Sequence, residues 1–192
     1  MKRLLITGFD PFGGESVNPA WEAVKRLPDA LGNIEIHKQL IPTVFGEAAR
    51  TVLEAAQGIL PDVILCIGQA GGRSAVTPER VGINVRDARI PDNAGNQPQD
   101  APIVPDGPDA FFSTVPIKAM VCAVQEAGFP AAVSNSAGTF VCNDVLYTLL
   151  HRYAGTSTRV GFIHVPYLPE QGMPSLELEK TVQALTAAIS VL

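Results

Sequence analysis

The sequence has 192 residues, of which 46% are hydrophobic and 17% charged, and it carries a net charge of −5. That length predicts one domain over 1–192 with a core large enough to need no staples, and the composition excludes a disordered chain. With no Lys/Arg run, no basic helix face and no apolar run of bilayer length, nucleic acid and membrane are excluded as partners.

The opening Met1-Lys2-Arg3-Leu4-Leu5-Ile6 starts like a signal peptide, but its apolar run breaks at Gly8-Phe9-Asp10-Pro11. Residues 3–8 therefore read as a first strand. Asn18-Pro19 supplies a cap and a first-turn proline for a helix over 18–27. A strand is expected over 34–41. A helix follows over 45–59, with Ala48, Val52, Ala55, Ala56 and Ile59 on one face. A buried strand runs from Pro61-Asp62 through 67, and Val76, Val81, Ile83 and Val85 predict another over 76–85. Residues 86–115 are rich in Asp, Asn, Pro and Gly, and a connection so long and irregular reads as functional or interfacial. Helices are expected over 116–127 and 140–153, strands over 131–135 and 159–165, and an amphipathic helix over 175–191. Such alternation predicts an α/β sandwich around a largely parallel sheet, with sites at the carboxyl ends of its strands.

Three cysteines, an odd number, imply reduced thiols and a cytoplasmic location. Cys66 lies inside the apolar run 63–67 and reads as an inert core thiol; Cys122 reads as core or interface. Cys142 differs. It follows the small polar run 134–139 and precedes Val145, Leu146, Leu149 and Leu150 at helical spacing, which places it in the first turn of a helix with Thr139 as N-cap. Free backbone N–H groups and the helix dipole favour a thiolate there and could hold an oxyanion. The alternative is a small apolar filler on a buried helix.

His164 ends an apolar strand, at the edge where a site is expected, and is the best histidine to serve a thiol as general base. His37 and His151 read as surface residues. Glu79 lies in an apolar segment, where a carboxylate is costly unless paired. It either bridges to Arg80 or a neighbouring arginine, or it orients His164 as the third member of a nucleophile–base–orienter trio. The loops Thr7–Gly14 and Gly68–Arg73 match neither phosphate-loop pattern; Phe9 and Phe12 in the first point to an apolar pocket or to plugs at the sheet edge.

Together, TGFDPFGG (7–14), NPAW (18–21), GQAGGR (68–73), TPERVGIN (77–84), RIPDNAGNQP (89–98), SNSAGTFVCND (134–144) and HVPYLPEQ (164–171) resemble the pyroglutamyl peptidases, nearly end to end. The resemblance implies a three-layer α/β/α sandwich with a central twisted, mostly parallel (mixed) sheet. It implies Cys142 as nucleophile, His164 as general base and acid, and Glu79 as orienting carboxylate. It also implies a pocket for a five-membered lactam, with Phe9, Phe12, Ile90, Phe140 and Val141 at pocket positions and Thr43 and Gln69 on loops near substrate. Arg89 would assist the oxyanion through its backbone. The implied partner is a peptide with an N-terminal pyroglutamate, the implied assembly a homotetramer, and no metal or organic cofactor is needed. Gly82 stands where the family more often has Ala.

Two other readings compete. A glutamine amidotransferase-like hydrolase usually has Glu two residues after its His, where this chain has Pro166. A non-catalytic small-molecule binding protein predicts no loss of function on alkylation of Cys142. A zinc site finds no suitable Cys or His spacing.

Overall fold

A computed structural model describes residues 1–192. Its strands are β1 (Lys2–Phe9), β2 (Ala30–Leu31), β3 (Ile34–Ile41), β4 (Val63–Gln69), β5 (Thr77–Pro78), β6 (Val81–Ile83), β7 (Ala110–Phe112) and β8 (Arg159–Val165). Its helices are α1 (Pro19–Arg26), α2 (Glu47–Ile59), α3 (Ile117–Glu126), α4 (Val141–Arg152) and α5 (Leu178–Ile189). Six strands form one sheet in the order β2-β3-β1-β4-β8-β5. The four inner strands β3, β1, β4 and β8 run parallel, and the short edges β2 and β5 run antiparallel.

The inner strands are apolar on both faces because helices cover both, the usual condition of a parallel sheet. Leu4, Ile6, Val63, Leu65, Ile67, Ile163 and Val165 pack towards α1, α3 and α5. The alternate residues Leu5, Phe9, Ile64, Cys66, Val160 and Phe162 pack towards α2 and α4. The result is the three-layer α/β/α sandwich with a mixed, mostly parallel sheet. Helix α1 starts as its sequence predicts: the Asn18 side chain accepts from Ala20 N (3.0 Å), with Pro19 at the first helical position.

Several boundaries differ from the sequence reading. The strand expected over 76–85 is two pieces. Edge strand β5 pairs with β8 and ends at Pro78, which has no N–H to give the 130–134 segment outside it; Val76 N and Arg80 N on either side bond Pro130 O and Ser134 O there, so the contact is reduced to isolated bridges. Glu79 and Arg80 then carry the chain off the sheet, and β6 pairs with β7 in a separate ribbon. The expected strand over 131–135 is reduced to single bridges, Val76 with Ala131 and Glu79 with Ser134. The region 86–115, expected to be irregular, contains β7. Cys122 is exposed on α3, not in the core. Gly82 lies against α4: a Cβ there would stand 3.0 Å from Tyr147 N, so this ribbon packs backbone to backbone on the helix.

Candidate active site

The carboxyl ends of β4 and β8 lie side by side, with Gly68 paired to His164 in the ladder. Residues paired in register project to the same face of a sheet. On that face a Cβ added to Gly68 would stand 3.0 Å from Cys142 Sγ and 2.7 Å from Phe162 Cζ. Cys142 therefore rests on the bare backbone of β4, on the face to which His164 projects. The His164 ring packs on Phe162, with centroids 4.8 Å apart. The structure forms no hydrogen bond between the thiol and the imidazole.

Across β8, Thr77 is the ladder partner of His164, and Glu79 N donates to Phe162 O (2.8 Å). That backbone course turns the Glu79 side chain inwards, fully buried, with Oε1 2.7 Å from His164 Nδ1. An ionised Glu79 accepts, so Nδ1 carries the hydrogen and Nε2 is left as the basic nitrogen. Burial acts to raise the Glu79 carboxyl, but His164 and its other donors outweigh it and hold the group below the ordinary carboxylate range. Burial lowers His164 below its ordinary value, against the pull of Glu79. Burial, followed by the charge of Glu79, pushes the Cys142 thiol up to about 12. These directions favour a neutral thiol and a neutral imidazole over the thiolate expected at this helix start, because burial opposes charge on both; such a thiol needs a base to take its proton before it can attack a carbonyl.

Cys142 is the second residue of α4. Phe140, not Thr139, occupies the cap position and makes no side-chain cap; the Thr139 hydroxyl donates instead to Asp87 O (2.7 Å). The N–H groups of Val141, Cys142 and Asn143 thus bond no other residue. They form a set of free donors at the positive end of the helix. Arg89 N is also free of any intramolecular bond. The helix start is anchored firmly. Asn143 Nδ2 donates to Ile83 O and Val85 O (both 2.9 Å), and the buried Asp144 accepts from Gly46 N and Arg86 Nε.

Beside this helix start is a cavity of about 420 Å³ lined by Phe12, Asp87, Arg89, Ile90, Gly138, Thr139 and Phe140. Of the residues the sequence pointed to, Phe12, Arg89, Ile90 and Phe140 meet here, with Phe12 and Phe140 rings 6.1 Å apart. Phe9 and Val141 do not line it; both are buried in the core on the α2/α4 face. Buried Thr43 holds the neighbouring loop, its N–H donating to Asp10 Oδ1 (2.7 Å). Gln69 accepts through Oε1 from Gln171 Nε2 (3.1 Å). A second cavity, of about 290 Å³ around Phe112, Leu150 and Tyr153, is lined by none of the candidate catalytic or pocket residues.

The sequence reading missed Arg73. It offered Arg80 or a neighbouring arginine as partner for Glu79; Arg80 Nε donates to Asn135 Oδ1 (2.7 Å), and the neighbouring arginine is Arg73, whose Nη1 is 2.7 Å from Glu79 Oε1. The signal was available: a carboxylate in an apolar segment demands a cation, and Arg73 ends the Gly-rich loop after β4.

A family model described as pyroglutamyl peptidase matches residues 2–192. The pyrrolidone-carboxylate peptidase of Escherichia fergusonii is 54% identical over 196 residues, covering 98% of this chain and 92% of its own length. That of Levilactobacillus brevis is 55% identical over 194 residues, covering 97% and 95%. Among solved structures, pyroglutamyl peptidase I of Bacillus amyloliquefaciens superposes with a TM-score of 0.97 at 49% identity, covering 100% of this chain and 96% of that one. A mutant pyrrolidone carboxyl peptidase of Pyrococcus furiosus gives 0.94 at 42% identity, covering 98% and 97%.

Proposed function

The chain belongs to the pyroglutamyl peptidase family, and on that premise we propose that it is a cysteine exopeptidase that hydrolyses the bond after an N-terminal pyroglutamyl residue, using Cys142, His164 and Glu79. The observation that carries the assignment of roles is the 2.7 Å contact between Glu79 Oε1 and His164 Nδ1 on the face where Cys142 Sγ rests against Gly68. The Cys142 sulfur attacks the carbonyl carbon that joins pyroglutamate to the next residue, and His164 Nε2 takes the thiol proton. The oxyanion faces the free N–H of Cys142 and that of Arg89. His164 then gives its proton to the departing amine as the C–N bond breaks, leaving a thioester. Water, deprotonated by His164, attacks the thioester, and pyroglutamate leaves as the thiol regains its proton.

The cavity suits the substrate. A pyroglutamyl group has no free α-amine, so no carboxylate is required to grip a cation. Phe12, Ile90 and Phe140 offer apolar surface to the ring, while Arg89 and the exposed polar backbone beside Gly138 and Thr139 offer partners for its lactam N–H and C=O. Leaving those lactam groups unpaired would cost a few kcal/mol, which separates pyroglutamyl from prolyl substrates. Phe9, Thr43, Gln69 and Val141 belong to the shell that holds this pocket. Residues 1–192 act as one catalytic domain, since both helical layers pack on a single sheet. Three unpaired cysteines suit the reducing cytoplasm, and the exposed Phe112 and Met173 suit burial in a homotetramer.

Mass spectrometry of acid-quenched protein mixed with a pyroglutamyl-arylamide tests the mechanism. A single pyroglutamyl adduct mapping to Cys142 is expected, and wild-type turnover by C142A would overturn it.

A further inference from the structure

Arg73 carries a charge that the proposed mechanism leaves unused. Its guanidinium bonds three partners on two segments. Nη1 donates to Glu79 Oε1 (2.7 Å) and to Thr77 Oγ1 (2.6 Å), and Nη2 donates to Ser136 O (3.1 Å). Thr77 Oγ1 in turn donates to His164 O (3.4 Å), and Ser136 lies on the turn that leads into α4 and Cys142. One side chain thus ties the strand of the base, the orienting carboxylate and the approach to the nucleophile.

The choice of oxygen matters. Arg73 and His164 both bond Oε1 of Glu79, while Oε2 is buried without a partner. Both of these bonds fall on one oxygen, the nearby Ser134 hydroxyl adds a neutral pull on the carboxylate, and Arg73 is the one permanent cation among the three. A fully buried carboxylate requires a positive partner. If His164 had to supply it, the imidazole would already hold the proton it must take from Cys142. With Arg73 balancing the charge, Glu79 stays ionised and His164 stays free to act as a base. The Arg73 charge also disfavours a second cation at His164.

We infer that Arg73 is a positioning residue, whose fork fixes Glu79 and the turn before α4 in one frame and balances the carboxylate so that His164 rests neutral. The inference rests on the cysteine-peptidase reading of the site. Lysine retains the charge but offers a compact ammonium in place of a planar fork, so it cannot hold all three partners at once.

The test compares wild type, R73K and R73Q in two assays: hydrolysis of a pyroglutamyl-arylamide across pH, and NMR titration of the His164 ring, identified by its absence in H164N. For R73Q, kcat should fall roughly 10–100-fold with KM within about twofold, because the reacting groups are misaligned while the pocket is untouched. Its His164 midpoint should rise by about one pH unit, moving the acid limb of activity upwards. R73K should titrate like wild type yet recover only part of kcat. An unshifted His164 midpoint with wild-type kcat in R73Q would overturn the inference. So would full kcat in R73K, which decides the matter if R73Q does not fold. If wild type fails to cleave the arylamide, the substrate reading falls, while the His164 titration still decides the role of Arg73.

Discussion

Replacing Glu79 by glutamine keeps the shape of the side chain and removes its charge. The imidazolium that forms when Cys142 gives up its proton then loses a counterion whose Oε1 lies 2.7 Å from Nδ1. With charge centres roughly 4 Å apart and an effective dielectric constant of about 20, that attraction is about 4 kcal/mol, a ceiling of about 10³ in rate. Arg73 shares the same oxygen and offsets part of the field, so the expected loss in kcat for E79Q is about 10²–10³-fold. The amide can also present its N–H₂ to Nδ1, which would favour the tautomer with its hydrogen on Nε2 and no base facing the thiol. The assay is steady-state hydrolysis of a pyroglutamyl-arylamide, with circular dichroism and thermal melting to confirm the fold. KM should change little, because Glu79 does not line the cavity. A folded E79Q protein with kcat within about threefold of wild type would refute the orienting role and leave Glu79 as a structural partner of Arg73.

Further outcomes follow from the same geometry. C142S should fold normally and lose nearly all activity, a larger loss than E79Q, as arylamide hydrolysis and melting together will show. G68A should lose activity sharply, because the new Cβ would meet Phe162 and the nucleophilic sulfur at 2.7 and 3.0 Å; turnover like that of wild type would mean that Cys142 has room to shift. Stability should decline on acidification, as pH-dependent urea denaturation can measure. Glu79 and His164 both titrate below their ordinary values, so the unfolded chain binds more protons below about pH 6.5, and further below about pH 4.5. Stability should also fall above about pH 9, because the buried Cys66 and Cys142 thiols titrate at about 12 in the fold and near 9 once exposed. C66A should remove part of that alkaline loss.

Much of this molecule was legible in its sequence where one local pattern dictates one outcome. The apolar run 63–67 can only be a strand covered on both faces, and Asn18-Pro19 starts a helix by chemistry contained in two residues. Cys142 and His164 could be placed because each stands at the junction of a polar turn and an apolar element. What escaped was set by distant partners. Nothing local shows that regular pairing ends at Pro78; Glu79 keeps one backbone bond to Phe162 O and turns its side chain inwards to His164, 85 residues away. Thr139 is a good cap by type, but the Asp87 carbonyl claims its hydroxyl, and the helix N–H groups stay free. Arg73 was one of several arginines that could answer the demand of Glu79 for a cation, and only the turn from β4 into β5 brings the two side chains, six positions apart in sequence, together. Phe9 could be read from its loop as a pocket residue or as a plug at the sheet edge; it is the last residue of β1 and packs on Phe162 in the core.

The most direct test of the central claim is release of arylamine from pyroglutamyl-, prolyl- and glutaminyl-arylamides by reduced protein, before and after iodoacetamide. The account predicts cleavage of the pyroglutamyl compound alone, abolished when Cys142 is alkylated. Well-folded, reduced protein that leaves the pyroglutamyl compound intact, or cleaves it equally well after alkylation, would contradict it.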